Sequence, residues 1–479
     1  MLDEDTIIKD TRNSNERLLV LNVLCAVLLP AILFGGTSDL FVGLFVALGV
    51  VAPINILNYI YVWSKEPTKD YLKFCAFLIP NIIAFVILFV GVLNPSLLNL
   101  SFDNGDYFQF SKIAKMPSNA FENMLTPISA ELVCVVAFLV GLSIYIITDS
   151  RFVIRKIIVW TSLAVAILMI LGSTVAFMWN YDGNFFSNKD SAYFSSFADS
   201  SQWAAFGLMW MGAALAVAIH SVHRFRMYSF VYSIKFLALI TSFVLFVGVL
   251  IAGKTIHTFF AYLIMAVGLS IIAYEVVPAQ FNVRRHEMLR HISSHKKRKA
   301  KMLKSFLCYA VVALACWAGA ISNANEMYND TKTIFVDAEN KSTITYAEKM
   351  SLYEDAKKMI DDEHLLFGYG TASFPNAFAF FQGSDLGTDP WASPNSDLLH
   401  KIIENGVVGL ALSSIVFVFM LLRWLVKHNF SKSSVVIMLT IFSILAISIV
   451  EIPFQSTAVL VSFWVLAMSA FRWDDAKII

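Results

Sequence analysis

Runs of about 20 consecutive apolar residues, each long enough as a helix to cross roughly 30 Å of hydrocarbon, recur from end to end of this chain. About twelve can be placed by hydropathy, centred near Val27, Val50, Ala84, Phe138, Ala166, Leu215, Ala238, Ala266, Ala313, Val416, Ser443 and Phe463. Composition agrees: of 479 residues 58% are hydrophobic and only 15% charged, against about 25% charged in an ordinary soluble protein. The mean hydropathy is +0.67. The fold class expected is all-α, a polytopic membrane helix bundle of about twelve transmembrane helices with a large extracytoplasmic loop between helices 9 and 10. The expected parts are residues 1–322 with helices 1–9, residues 323–405 as the loop domain, and residues 406–479 with helices 10–12 and a cytoplasmic C-terminus. Asp3, Glu4 and Asp5 spoil the positive leader of a cleavable signal peptide, so the first span is expected to stay as a helix.

The net charge of +1 points to no acidic partner, and the placement of charge carries the information. With the N-terminus inside, the basic groups Lys65, Lys69 and Lys73, then Arg151, Arg155 and Lys156, then Arg224 and Arg226, then Arg284 through Lys304, then Arg423, Lys427 and Lys432, all fall on one side. That is the positive-inside pattern, and it predicts cytoplasmic termini. The loops left outside hold lysines such as Lys112, Lys189, Lys254, Lys349 and Lys401 but no arginine. The segment RRHEMLRHISSHKKRKAKMLK reads as a topology anchor beside anionic lipid rather than a nucleic-acid site. Its histidines have no cysteine partner or second fixed pair to close a metal site. Cys25, Cys75, Cys134, Cys308 and Cys316 all lie in apolar spans, which leaves the outer loops without disulfides and argues against thiol chemistry.

Three outer loops are long: about Asn94 to Thr126, Asn180 to Gln202, and Asn323 to Asn405. In the third, TYAEKMSLYEDAKKMI carries Tyr346, Met350, Tyr353, Ala356 and Ile360 at a helical period that would lay one face on the membrane domain, flanked by Lys349 and Lys357. Asp361, Asp362 and Glu363 are consecutive, point in different directions and read as a solvated helix end. The stretch from Phe367 to Leu410 opens on a Gly-Tyr-Gly turn and ends in an Asn-Ser-Asp-Leu-Leu…Glu-Asn-Gly helix start that leads straight into an apolar segment. It is a polar site pressed against a membrane, where irregular backbone is tolerated only if buried in protein or lining a wet cavity. Gly368 and Gly370 are turn residues for positive φ or close backbone approach; no Walker-type lysine follows them. Phe374, Phe380, Phe381 and Trp391 could stack on sugar rings or simply anchor at the interface.

The run LYEDAKKMIDDEHLLFGYGTASF, followed by SPNSDLLHKIIENGVVGL, together with the order of spans, resembles the bacterial O-antigen ligase and Wzy-type polysaccharide polymerase superfamily. The motif covers about Lys349 to Gly409. The resemblance implies a metal-independent membrane glycosyltransferase without cofactors. It would move a glycan from an undecaprenyl-pyrophosphate-linked oligosaccharide donor to a glycan, lipid or protein acceptor, at the outer face of the bacterial cytoplasmic (inner) membrane. Polymerisation is the default among these.

The chain departs from the family at two places. Where the family carries a catalytic histidine this chain has Asn395, while Asp397, Leu399, Glu404 and Gly406 keep the surroundings. An amide cannot act as a general base, so proton transfer would fall to His400, Glu404, Asp397 or His257, or need no strong base. Where the family places arginines suited to a lipid pyrophosphate, this chain has Lys254 and Lys349, which keep the charge and lose the bidentate fork. Each lysine alone also reads as an ordinary interfacial cation. A transporter or lipid-linked glycan flippase is the rival class, though its usual broken spans at matching positions in two halves are hardly visible. A non-catalytic relative is the third reading, which the asparagine and lysine replacements keep open.

Overall fold

The computed structural model describes residues 4–33, 35, 42–62, 67–94, 98–102, 105–109, 116–120, 125–180, 194–197, 199–220, 234–276, 293–333, 346–362, 364–383, 386, 391–427 and 430–476. Its helices are α1 Glu4–Ile32, α2 Val42–Val62, α3 Pro67–Val92, α4 Leu125–Ile147, α5 Arg151–Asn180, α6 Ser200–His220 and α7 Ile234–Ala252. They continue as α8 Thr255–Val276, α9 Ser293–Thr333, α10 Tyr346–Lys358, α11 Phe374–Phe378, α12 Asp397–Val426, α13 Lys432–Val450 and α14 Thr457–Asp475. A two-stranded antiparallel hairpin pairs Leu98–Phe102 with Gly105–Gln109. Among the described residues nine helices are long and apolar enough to cross a membrane, namely α1, α3, α4, α5, α6, α8, α9, α12 and α13. The chain is a multi-pass, essentially all-helical membrane protein. Of the basic residues singled out by sequence, Lys65, Lys112, Lys189, Arg224, Arg226 and Arg284 through Arg290 lie outside the described residues, as does Glu363.

Helix α6 is the hub. Every residue of its apolar window is buried, and it packs on α5, α7, α8, α13 and α14. Its sequence SSQWAAFGLMWMGAALAVAIH is rich in small residues, which let neighbouring backbones approach closely where hydrocarbon gives no hydrophobic drive for helix association. Hydrogen bonds tie it to its neighbours: Trp210 Nε1 donates to Ser462 Oγ at 3.0 Å, and Ser433 Oγ to the Ala216 carbonyl at 2.7 Å. Helices α3 and α9 are peripheral, and residues such as Val86 and Leu314 expose apolar faces suited to lipid tails.

One end of the bundle is closed by charge. Arg472 Nη2 meets Asp149 Oδ1 at 2.7 Å, and the Tyr59 hydroxyl donates to Asp149 Oδ2 at 3.0 Å. Arg423 reaches both the Tyr145 hydroxyl at 2.6 Å and Asp475 at 3.2 Å, and Lys427 pairs with Asp475. Asp474 accepts from Trp424 Nε1 at 2.8 Å and from Ser434 Oγ at 2.6 Å. This clamp joins α2, α4, α12, α13 and α14.

At the other end α10 lies over the segment 369–378 and the first part of α12, with its buried face one step out of the expected phase. Leu352, Asp355, Ala356 and Met359 are buried, whereas Met350 is exposed and Tyr353 half-buried. The buried set packs with Tyr369, Phe374, Phe378 and Ile403. Asp355 explains the shift: it is drawn inward because its carboxylate accepts from the Gly383 amide at 2.8 Å, and hydropathy alone would place it outside.

Candidate functional site

The site forms where α13 ends and α12 begins. The last carbonyls of a helix have no partner within it, and here the loop region supplies them. Ser396 Oγ donates to the Ile449 carbonyl at 2.7 Å, Lys349 Nζ and the Tyr353 hydroxyl both donate to the Val450 carbonyl, and the Asp397 amide donates to the Glu451 carbonyl at 3.1 Å. Ser396 is also the N-cap of α12, accepting from the Leu399 amide at 3.3 Å. Asp397 Oδ2 accepts from the Phe454 amide at 2.8 Å, which fixes the first turn of α12 against the turn Pro453–Gln455.

Helix α12 is broken at Gly406, whose φ of 64° and ψ of −172° are open essentially to glycine alone. The break frees the carbonyls of Ile403 and Glu404 and the amides of Val407 and Val408. The segment 365–370 takes all four: Tyr369 N donates to Ile403 O at 2.9 Å, Gly370 N to Glu404 O at 2.7 Å, Val407 N to Leu365 O at 3.0 Å and Val408 N to Leu366 O at 3.1 Å. The two backbones are so close that a Cβ on Gly368 would sit 2.4 Å from the Glu404 carbonyl, and one on Gly406 would sit 2.3 Å from the Leu366 carbonyl carbon. Gly370 also has positive φ. The Gly-Tyr-Gly turn and the Glu-Asn-Gly sequence, 34 or more residues apart, are thus two halves of one joint.

Beside the joint lies a cavity of about 430 Å³ between α3, α4 and α12. Glu131, Asp397, His400, Lys401, Glu404 and Asn405 line it around the starts of α4 and α12; Ala84, Leu410, Phe417 and Trp464 line it farther along the helices. His400 Nε2 stands 3.1 Å from Glu404 Oε1, an ion-pair approach without hydrogen-bond alignment. His400 Nδ1 is 3.5 Å from Gln455 Nε2, and the Phe374 ring meets the imidazole edge-on at 5.5 Å. Glu404 Oε1 accepts from the Phe374 amide at 3.2 Å. Asn405 Nδ2 donates to Thr371 Oγ1 at 2.7 Å. A histidine with a carboxylate beside one ring nitrogen, at the wall of a cavity, is an arrangement suited to proton transfer.

Lys254, in the turn between α7 and α8, and Lys349, on α10, converge on Glu451 at the end of α13. Lys254 Nζ lies 2.9 Å from Glu451 Oε2 and Lys349 Nζ 3.5 Å from Glu451 Oε1. Burial holds the Lys349 ammonium below the usual lysine value, partly countered by Glu451. Burial, then the charge of Glu451, pushes the Tyr353 hydroxyl up to about 12. The Lys349 ammonium lies 5.9 Å from the Tyr353 ring centre.

The remaining candidates separate. Asn395 has a positive φ of 54°, a conformation asparagine tolerates better than most residues, and its carbonyl accepts from the Tyr353 hydroxyl at 3.2 Å. It does not line the cavity. His257 is completely buried in the first turn of α8 with neither ring nitrogen hydrogen-bonded, and it too is away from the cavity lining. Phe374 is fully buried and belongs to the core under α10, so it is not open to a sugar ring; Phe380 is exposed. His364 pairs with Asp361 at 2.8 Å and stacks on Tyr369 at 4.0 Å between ring centres. Among the described residues no group of three or more His, Cys, Asp or Glu side chains could hold a metal ion. Glu451 and Glu131 are not among the site residues expected from the sequence, since each lies near the end of an apolar span. The one available signal for Glu451 was its sign, since an acid at a helix C-terminus opposes the helix dipole. No protein-family model matches the chain, and no curated protein matches it.

Proposed function

We propose that this chain is a membrane glycosyltransferase of the O-antigen ligase and polymerase type, joining an undecaprenyl-pyrophosphate-linked glycan to an acceptor, with polymerisation favoured. The observation that carries the reading is the broken helix α12, which presents His400 and Glu404 to a cavity that turns apolar along the bundle, one helical turn from Asp397 and its neighbour Glu451 with the two lysines. In the proposed step the acceptor hydroxyl oxygen bonds to the anomeric carbon of the donor sugar while the bond from that carbon to the pyrophosphate oxygen breaks. The acceptor proton passes to His400 Nδ1 and the bonding electrons leave with the lipid pyrophosphate, whose charge Lys254 and Lys349 neutralise. Glu404 stabilises the imidazolium. Transfer from a purified lipid-linked donor should fall roughly a hundredfold or more in His400→Ala and Glu404→Gln, the low end of general-base effects, with the protein still folded in the membrane. Near-normal rates in both variants would move the chemistry elsewhere.

The same reading takes twelve crossings, adding α2, α7 and α14 to the nine, with the 323–405 segment outside the cytoplasmic membrane and both termini inside. An impermeant thiol reagent applied to intact cells should then label a cysteine placed at Asp362 and spare one at Ser293. Labelling of Ser293 alone would reverse the orientation. A non-catalytic relative is the second reading, and one observation favours it: both lysines already have partners within the protein, at Glu451 and Val450.

A further inference from the structure

We propose that Glu451 sets the charge specificity of the lysine slot, its carboxylate acting as a resident anion that yields only to a ligand bringing two negative charges. The inference rests on the reading of Lys254 and Lys349 as the phosphate-binding groups. Its ground is the geometry: one carboxylate bridges two ammonium groups from distant parts of the chain, Oε2 to Lys254 at 2.9 Å and Oε1 to Lys349 at 3.5 Å. The Glu451 side chain is 9% exposed while that of Lys254 is 53% exposed, so the slot has a buried floor and an open side. Helix α13 does not account for the acid, because a negative side chain at a C-cap opposes the helix dipole.

Charge arithmetic gives the consequence. Two ammonium groups and one carboxylate leave a net single positive charge. A phosphodiester headgroup, the commonest anion in a bilayer, carries one charge and would only exchange one bridging anion for another, with the desolvated carboxylate left unpaired beside it. A pyrophosphate diester carries one charge on each phosphate and offers each lysine its own anionic oxygen. Lysine suits this use, since a flexible point charge can follow the incoming oxygen when the carboxylate withdraws. Glu451 therefore keeps abundant single-charged lipids out of the slot and touches no reacting atom; it is a positioning residue for the two lysines.

The test is binding of two soluble probes, dimethyl phosphate and dimethyl pyrophosphate, to the purified full-length chain in nanodiscs of zwitterionic lipid. The wild type should prefer the pyrophosphate roughly tenfold or more, the scale expected for one extra charge near a partly buried cation. Glu451→Gln should bind dimethyl phosphate roughly tenfold or more tightly than the wild type does, and phosphatidylglycerol added to the nanodiscs should now compete. A merely structural carboxylate would leave this affinity, and the wild type's indifference to phosphatidylglycerol, unmoved. Should Glu451→Gln fail to fold, Glu451→Asp, too short to bridge both lysines, should raise the affinity for dimethyl phosphate in the same direction. Unchanged affinity for dimethyl phosphate in a folded variant overturns the role of Glu451 and leaves the slot standing. Failure of the wild type to bind dimethyl pyrophosphate, with glycan transfer intact in a Lys254→Ala, Lys349→Ala double variant, overturns the slot itself.

Discussion

The two ends of α12 handle charge in opposite ways. At the Val426 end Arg423 and Lys427 share Asp475, Arg472 pairs with Asp149, and Asp474 accepts from Trp424 and Ser431, a set with as many carboxylates as cations that ties helices together. At the Asp397 end two lysines share one carboxylate, and a histidine and a glutamate stand side by side at a cavity wall. Helix geometry differs in the same sense: regular near the clamp, broken at Gly406 near the site. Balanced charge on regular helices holds a membrane protein together. Uneven charge on irregular backbone costs stability, which is what the proposed function expects of the end that meets its donor.

Mutation should separate the ends. The largest loss of stability should come from Arg472→Ala, which takes the guanidinium from the buried Asp149 carboxylate; breaking a buried pair costs about 3–5 kcal/mol, read as a fall in thermal unfolding temperature in detergent. Arg472→Ala combined with Asp149→Asn should recover much of it. A variant as stable as wild type would remove the clamp from the comparison. Gly406→Ala comes next, at about 1–3 kcal/mol for the forced backbone conformation. It should release the 365–370 loop and abolish transfer, while α6 and its neighbours keep their protection from hydrogen exchange. Uniform loss of protection through the whole bundle would show that joint and bundle fold as one unit. The smallest effect should come from Lys427→Ala, whose half-exposed ammonium adds to an aspartate that Arg423 already holds; about 0–1 kcal/mol is expected of such a pair.

Much of this architecture was legible in the sequence. Each of the twelve span centres read from hydropathy falls within a helix, and Ser396 caps α12 where the Asn-Ser-Asp signal placed a helix start. Both rest on local chemistry, since apolar length and a side-chain oxygen at an N-cap act within a few residues of chain. The grouping of Lys254 with Lys349 came from the resemblance, and the structure brings them to one carboxylate.

What the tertiary structure decided is every relation between distant segments. The phase of α10 turned on Asp355, whose partner amide lies 28 residues away at Gly383. Asn395, singled out as the replaced histidine, is a turn residue with positive φ, and His400 and Glu404 take the cavity wall instead. The Asn-Gly pair at 405–406 is a local turn signal, but it does not tell a break from a continuous helix; only the docking of the Gly-Tyr-Gly loop, which satisfies the four freed backbone groups, makes the break stable. The sequence by itself determined that this chain fills a membrane with helices, since burial in hydrocarbon is a sum over single segments. Which helix breaks, and which carboxylate two lysines share, was decided by pairwise contacts across the fold.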